Sequence, residues 1–211
     1  MSVDRAERVG ATLDVVDLAE GWDTQLVNWL AEAAEAGLPE PNGMVLATVD
    51  PDGVPSTRSV LCKGIDARGI VFFTNYTSAK SRDLRSSRQA SVTFPWYAMH
   101  RQVNARGTVE EVSRAETAAY WATRPRGSQL GAWASPQSAV LSSRQSLDHS
   151  LEATRRRFAD TDQVPVPPHW GGWRLRPDRV EFWQGRQDRL HDRLVFDRNP
   201  DQRWTIRRLA P

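Results

Sequence analysis

Met44-Val45-Leu46-Ala47-Thr48-Val49 is an apolar, β-branched run, and Asp50-Pro51-Asp52-Gly53 behind it is a turn. Ser56 to Lys63 then pairs back as the second arm of a hairpin. Outward from this hairpin the same rhythm continues. Asp66-Ala67-Arg68-Gly69 makes another turn, Ile70-Val71-Phe72-Phe73-Thr74 a third strand, and strands fit 90–96 and 101–112. Further strands are expected at 172–176, 179–183, 189–196 and 203–209. Helical signals are fewer. Leu26, Trp29, Leu30 and Ala33 recur at helical spacing over 22–38, where Pro39, Pro41 and Gly43 end the helix. A short helix fits 78–86. Ser113-Arg114-Ala115-Glu116 is a capping box that opens a helix through Thr123, stopped by Pro125. A polar helix covers about 143–158, and Pro165, Pro167 and Pro168 form a stiff connector. Antiparallel strands with inserted helices and no βαβ alternation predict a mainly β chain with helical additions (α+β), built on a barrel. Residues 1–20 read as a loose arm before one domain over 21–211.

Composition narrows the function. The chain has 211 residues and a net charge of +2, with 39% hydrophobic content and no apolar run of membrane-spanning length. Its start lacks a secretory pattern, so a cytoplasmic protein is expected. One cysteine, Cys62, excludes an internal disulfide and a multi-cysteine metal site. The four histidines have no His-Glu-x-x-His spacing, so no metal is expected. There is no Gly-x-Ser-x-Gly elbow and no glycine-rich phosphate loop. Nine tryptophans read as core, and without a basic run they do not argue for nucleic acid.

Any phosphate must therefore be held by side chains. Only Lys63 and Lys80 among the 28 basic residues are lysines, and an ammonium is a point charge suited to a phosphate oxygen. Three clusters offer donors. Arg58 and Lys63 are five residues apart, so on a regular strand they face opposite sides. Tyr120 and Arg124 lie one helical turn apart, with Ser128 past the proline. Arg189, His191 and Arg193 alternate along an extended run and would share one face, three potential cations waiting for an anion or an electron-rich ring. Each cluster alone could also be solvated arginines on a surface.

Longer motifs sharpen this. Pro55 to Lys63, Phe94-Pro95-Trp96, Arg124-Pro125-Arg126-Gly127-Ser128-Gln129-Leu130-Gly131, Pro136-Gln137-Ser138, Phe182-Trp183-Gln184-Gly185, Arg189-Leu190-His191-Asp192-Arg193 and the terminal Arg208-Leu209-Ala210-Pro211 occur in order. Together they resemble the pyridoxamine 5′-phosphate oxidase family over about residues 40–211. The resemblance implies an antiparallel FMN-binding split β-barrel, and a homodimer with FMN at the interface. A C-terminal dimerisation and active-site segment would span about 170–211. It implies that Arg58 and Lys80 hold the FMN phosphate with Ser138. Val60, Leu61, Phe73, Thr74, Gln102, Gln137, Trp183 and Arg193 would line the flavin. Lys63, counted with both cofactor and substrate, would bind the substrate phosphate with Tyr120, Arg124 and Ser128. Arg189 and His191 would flank the substrate ring as catalytic residues. The implied reaction oxidises pyridoxamine or pyridoxine 5′-phosphate to pyridoxal 5′-phosphate, with O2 as acceptor and H2O2 as product.

The chain departs from the family's common pattern at Ala79, where arginine is frequent, and at Phe73, where tyrosine is common. It departs also at Cys62, in place of leucine, and in an N-terminal arm with Arg5 and Arg8 but no tyrosine. Two rival readings remain: a related flavin oxidase of the phenazine-biosynthesis type, and a non-catalytic FMN- or pyridoxal-phosphate-binding protein.

Overall fold

The computed structural model describes residues 12–211, so the expectations placed on Arg5 and Arg8 lie outside the described residues. In chain order the elements are α1 (Trp22–Glu35), β1 (Gly43–Val49), β2 (Pro55–Leu61), β3 (Gly64–Asp66), β4 (Gly69–Asn75) and α2 (Ala79–Ser87). They continue with β5 (Gln89–Trp96), β6 (Arg101–Glu111), α3 (Arg114–Ala122), α4 (Arg126–Ala134), α5 (Arg144–Arg157), β7 (Trp170–Gln184), β8 (Asp192–Arg198) and β9 (Trp204–Arg208). The strands form one antiparallel sheet in the order β2-β1-β5-β6-β7-β4-β3, with β8 on β7 and β9 on β8. The two ends of that order, β2 and β3, are separated by two residues of chain. Lys63 N–H donates to Val71 O (2.8 Å), so the sheet curls round and meets itself. Among the described residues no helix is long and apolar enough to cross a membrane.

β7 organises the sheet. One edge pairs with β6 along its whole length, while the other carries β4 on its first half and β8 on its second. The sequence suggested two strands here, broken at Pro177. One strand runs through instead, because Asp178 bulges out between the Gly107–Pro177 and Arg106–Arg179 pairs. Gly107 permits the approach, since a Cβ there would sit 2.1 Å from Arg176 O. Above this sheet α1 buries Trp22, Leu26, Trp29 and Ala33. The Trp29 ring meets Phe182 edge-on at 5.2 Å and Trp96 at 6.3 Å. α1 ends three residues earlier than its periodicity suggested. Gly37 (φ +73°) sends its N–H to Ala34 O while Leu38 N–H reaches Ala33 O, a Schellman closure ahead of the prolines.

A second core of Trp121, Leu130, Phe158, Val164 and Trp170 joins α3, α4 and α5 to the start of β7. α4 was not expected from the sequence, because Gly127 and Gly131 weaken its local propensity. Packing of Leu130 and Ala134 holds it, and Arg126 ties it to Phe158 O (2.6 Å). The Ser113–Glu116 capping box forms as expected. Arg174 of β7 donates to Glu116 (2.7 Å) and holds that carboxyl down at about 2. The arm predicted over 1–20 is tied down from Leu13 onward. Leu13 is buried, its N–H donates to Asp192 Oδ2 (3.1 Å) and its carbonyl accepts from Arg208 (2.9 Å).

Trp29→Ala should lower stability by about 3–5 kcal/mol, since it empties the contact between α1 and the sheet. Denaturant unfolding read by far-UV circular dichroism checks this, and a loss below about 1 kcal/mol would contradict it.

Candidate functional site

Four elements converge on one cavity of about 470 Å³. β2 lines it with Arg58 to Leu61, followed by Lys63. β4 adds Phe73 and Thr74, α2 adds Lys80, the end of α3 adds Tyr120 and Arg124, and Gln137 comes from the segment after α4. Four cations and no carboxylate line it. The expectation that Arg58 and Lys63 face opposite sides is corrected. β2 ends at Leu61, and the break at Cys62 turns Lys63 into the same cavity. Cys62 itself is a packed side chain whose thiol burial pushes up to about 11.

Two of the cations sit together at the start of α2. Lys80 Nζ donates to Gln137 Oε1 (2.7 Å) and Thr74 Oγ1 (3.2 Å). Burial first, and the Arg58 charge second, bring its pKa down to about 8. Arg58 is held from below, with Nη1 donating to Thr48 Oγ1 (2.6 Å), Ser56 O (3.1 Å) and Leu46 O (3.4 Å). Burial lowers its pKa too. The first N–H of α2, from Ala79, donates to Ser138 Oγ (3.2 Å), which places Ser138 (φ +70°) at the same corner. Two partly desolvated cations beside a helix N-terminus make a strong position for a dianion. Thr48 and Asp83, which support Arg58, were not anticipated from the sequence. Nothing in the sequence singled them out, since an i, i+3 spacing such as that of Lys80 and Asp83 is commonplace on a polar helix.

The other two cations, Lys63 and Arg124, line the same cavity. Lys63 Nζ makes no hydrogen bond or ion pair among the described residues. Tyr120 stacks on Phe73 at 4.1 Å, and Phe73 lies parallel to Trp170 at 5.4 Å. Arg124 lies 4.9 Å over the Trp170 ring and donates to Ser128 O (3.0 Å). Its Nε is buried with no hydrogen-bond partner among the described residues, an unmet donor beside the cavity. The Ser128 side chain is not among the cavity's lining groups.

The remaining expected residues gather elsewhere. Gln102 pairs with Trp183, and Trp183 with Arg193. The His191 ring is 4.6 Å from that of Trp183, and its Nδ1 accepts from Arg186 N–H (3.0 Å). A neutral His191 therefore carries its proton on Nε2. The alternating face expected of Arg189, His191 and Arg193 is not formed. β8 begins only at Asp192, and Asp188 (φ +53°) and Arg189 (φ +63°) form a tight left-handed turn before it. Arg193 binds Glu181 through two bonds (2.7 and 3.1 Å), which raises its pKa and neutralises it. Trp183 lies eleven residues along β7 from Gly172, the partner of Phe73. That is about 36 Å of strand path.

Comparison with known proteins identifies the family. The profile of the family described as pyridoxamine 5′-phosphate oxidase matches residues 30–184. The chain belongs to this family. A second profile, the pyridoxine 5′-phosphate oxidase C-terminal dimerisation region, matches residues 170–211. A pyridoxine/pyridoxamine 5′-phosphate oxidase of Saccharopolyspora erythraea is 62% identical over 98% of this chain and 93% of its own length. One from Mycolicibacterium smegmatis is 55% identical over 92% and 86%. Among solved structures, PhzG from Burkholderia lata in complex with tetrahydrophenazine-1-carboxylic acid superposes with a TM-score of 0.89 at 32% identity. That match covers 97% of this chain and all of the other. An FMN binding protein of Nostoc punctiforme (TM-score 0.74, 20% identity, 92% and 99% covered) shares the split-barrel fold. The chain is thus an oxidoreductase of this family.

Sulfate keeps one charge across the alkaline range, so it reports the cavity's own titration. Its affinity should fall by about tenfold per pH unit above pH 8 as Lys80 loses its proton. Lys80→Met should bind weakly and show no such slope. Calorimetric titration between pH 6.5 and 9.5 checks this, and a flat profile for the unaltered chain would refute it.

Proposed function

We propose that the chain oxidises pyridoxine 5′-phosphate and pyridoxamine 5′-phosphate to pyridoxal 5′-phosphate, with FMN as cofactor and O2 as acceptor. The observation that carries this reading is the presence of two separate cation pairs in one cavity. Arg58 and Lys80 stand at the α2 N-terminus, and Lys63 and Arg124 stand beside Tyr120. Two anion positions suit a phosphorylated cofactor lying against a phosphorylated substrate. The fit is supported by the unpartnered Arg124 Nε, and by Ser138, whose Oγ accepts from the Ala79 N–H and so brings its hydroxyl to the α2 N-terminus. Ala79 offers no side-chain cation there, so Arg58 and Lys80 carry the charge.

Bound FMN would supply the hydride acceptor and return the electrons to O2 as H2O2. Val60, Leu61, Phe73, Thr74 and Gln137 would lie along the flavin. Lys63, Tyr120 and Arg124 would grip the substrate phosphate, with Ser128 fixing Arg124 through its carbonyl. This remote grip orients the carbon that loses hydride. Gln102, Trp183, Arg189, His191 and Arg193 do not line this cavity, so a second copy of the chain would bring them. The dimerisation region at 170–211 supports that arrangement. In it, Arg189 and His191 Nε2–H would bond the ring substituents and stabilise charge as hydride departs. The likeness to PhzG supports a second reading, a carboxylated polycyclic substrate. The Lys63–Tyr120–Arg124 grip favours a phosphate instead.

Incubation with FMN and pyridoxine 5′-phosphate in air tests the proposal, following pyridoxal 5′-phosphate and peroxide in equal amounts. A flavin-loaded protein that makes neither would defeat it. Arg189→Ala should retain FMN and lose turnover by about a hundredfold or more. Turnover within threefold of the unaltered enzyme would remove Arg189 from the chemistry.

A further inference from the structure

We infer that Asp83, buried beneath the cavity, is a positioning residue that aims Arg58 through Thr48 and keeps the Arg58–Lys80 pair charged for the cofactor phosphate. The inference rests on the reading of that pair as the FMN phosphate site. Thr48 is 1% exposed and Asp83 9% exposed, and Asp83 is absent from the cavity lining. Thr48 Oγ1 donates to Asp83 Oδ2 (2.7 Å) and accepts from Arg58 Nη1 (2.6 Å). The hydroxyl thus relays one carboxylate to one guanidinium with both of its hydrogen-bonding roles satisfied. Arg58 Nη2 stands 4.0 Å from the same carboxylate oxygen. Lys80 and Asp83 are three residues apart on α2 and therefore neighbours on one helix face. One carboxylate accordingly lies close to both cations, on the side away from the ligand.

A carboxylate buried at this depth is disfavoured unless it is paired. Packing alone would place an apolar residue here. The charge has a use because Arg58 and Lys80 repel each other while partly desolvated. The groups that face Lys80 are Arg58 from β2, the neutral Thr74 from β4 and Gln137 from the segment after α4, with Asp83 on its own helix. Lys63, Tyr120 and Arg124 stand further round the cavity. Asp83 is the one anion in this set, and it offsets the effect of Arg58 on Lys80. Because it lies behind the cations, it adds no carboxylate surface for a phosphate to meet.

The test separates aiming from charge. The full chain, stripped of flavin, is titrated with FMN and with riboflavin from pH 6 to 10 by flavin fluorescence. The ratio of the two affinities isolates the phosphate. Asp83→Asn keeps an acceptor for Thr48 and removes the charge. It should shift the alkaline midpoint of this ratio down by about one pH unit, because a neighbouring opposite charge holds a titrating group by at least that much. Thr48→Val should lower the ratio about tenfold at every pH and leave the midpoint in place, and Thr48→Ser should restore it. An unmoved midpoint in Asp83→Asn, or a Thr48→Val ratio equal to that of the unaltered chain, would overturn the inference. Should Asp83→Asn fail to fold, the Thr48 pair still decides the aiming role. An unaltered chain that binds FMN no better than riboflavin would instead refute the underlying phosphate assignment.

Discussion

The uninterrupted passage of β7 from Trp170 to Gln184 is the constraint on which the rest depends. It carries β6 on one edge and two different partners on the other. It also sets Gly171 and Gly172 beside the aromatic stack, and Trp183 at the far end. The strand can do both only because Pro177 is absorbed by a bulge opposite Gly107. A break at Pro177 would free β4 and the cation-lined cavity to drift relative to β8. The bulge keeps them on one rigid rail, and the distance between the two groups of expected residues becomes a fixed property of the chain.

The cavity is built against its own electrostatics. Four cations converge where burial already opposes charge on Arg58 and Lys80. On the barrel several arginines are paired: Arg174 with Glu116, Arg193 with Glu181, Arg208 with Asp192. Asp83 behind Arg58 opposes only part of the cavity's charge, so the excess in this partly desolvated space lowers folding stability, and an arriving anion recovers that loss. The contrast between paired arginines on the barrel and carboxylate-free cations in the cavity marks the site more sharply than cavity size. A larger cavity of about 580 Å³, between the end of α1, β1, β2 and the end of β5, is mostly apolar and lacks any comparable cluster of cations.

Much of this was legible in the residues. The hairpin Met44–Lys63, the Ser113 capping box and the antiparallel character followed from alternation and turn chemistry. Lys63 and Lys80, singled out as the two lysines of the chain, both line the cavity. What was hidden depended on contacts distant in sequence. α4 is held by a satellite core that its own glycines would not announce. Pro177 looks like a strand break until Gly107 is known to face it. The run from Arg189 to Arg193 alternates in sequence, yet the turn at Asp188 and Arg189 delays the strand to Asp192. Thr48 and Asp83 were silent because one sits in an ordinary strand and the other in an ordinary polar helix. Only the fold brings them under Arg58.

The turn at Asp188 and Arg189 links the two halves of the argument. Two adjacent non-glycine residues in the left-handed region cost roughly 1 kcal/mol or more each. Within the chain the turn closes the loop in which Leu190 N–H reaches Gln187 O (3.0 Å) and Arg186 N–H reaches His191 Nδ1 (3.0 Å), and Arg193 beyond it binds Glu181. Arg189 stands outside these bonds, since its exposed side chain has no hydrogen bond or ion pair among the described residues, and Leu190 beside it is 69% exposed. In the proposed dimer these are the groups delivered to the other copy's cavity, so assembly would offset a further part of the turn's strain. Flavin, substrate and the second copy then stabilise the same state. By linkage, each should strengthen the binding of the others.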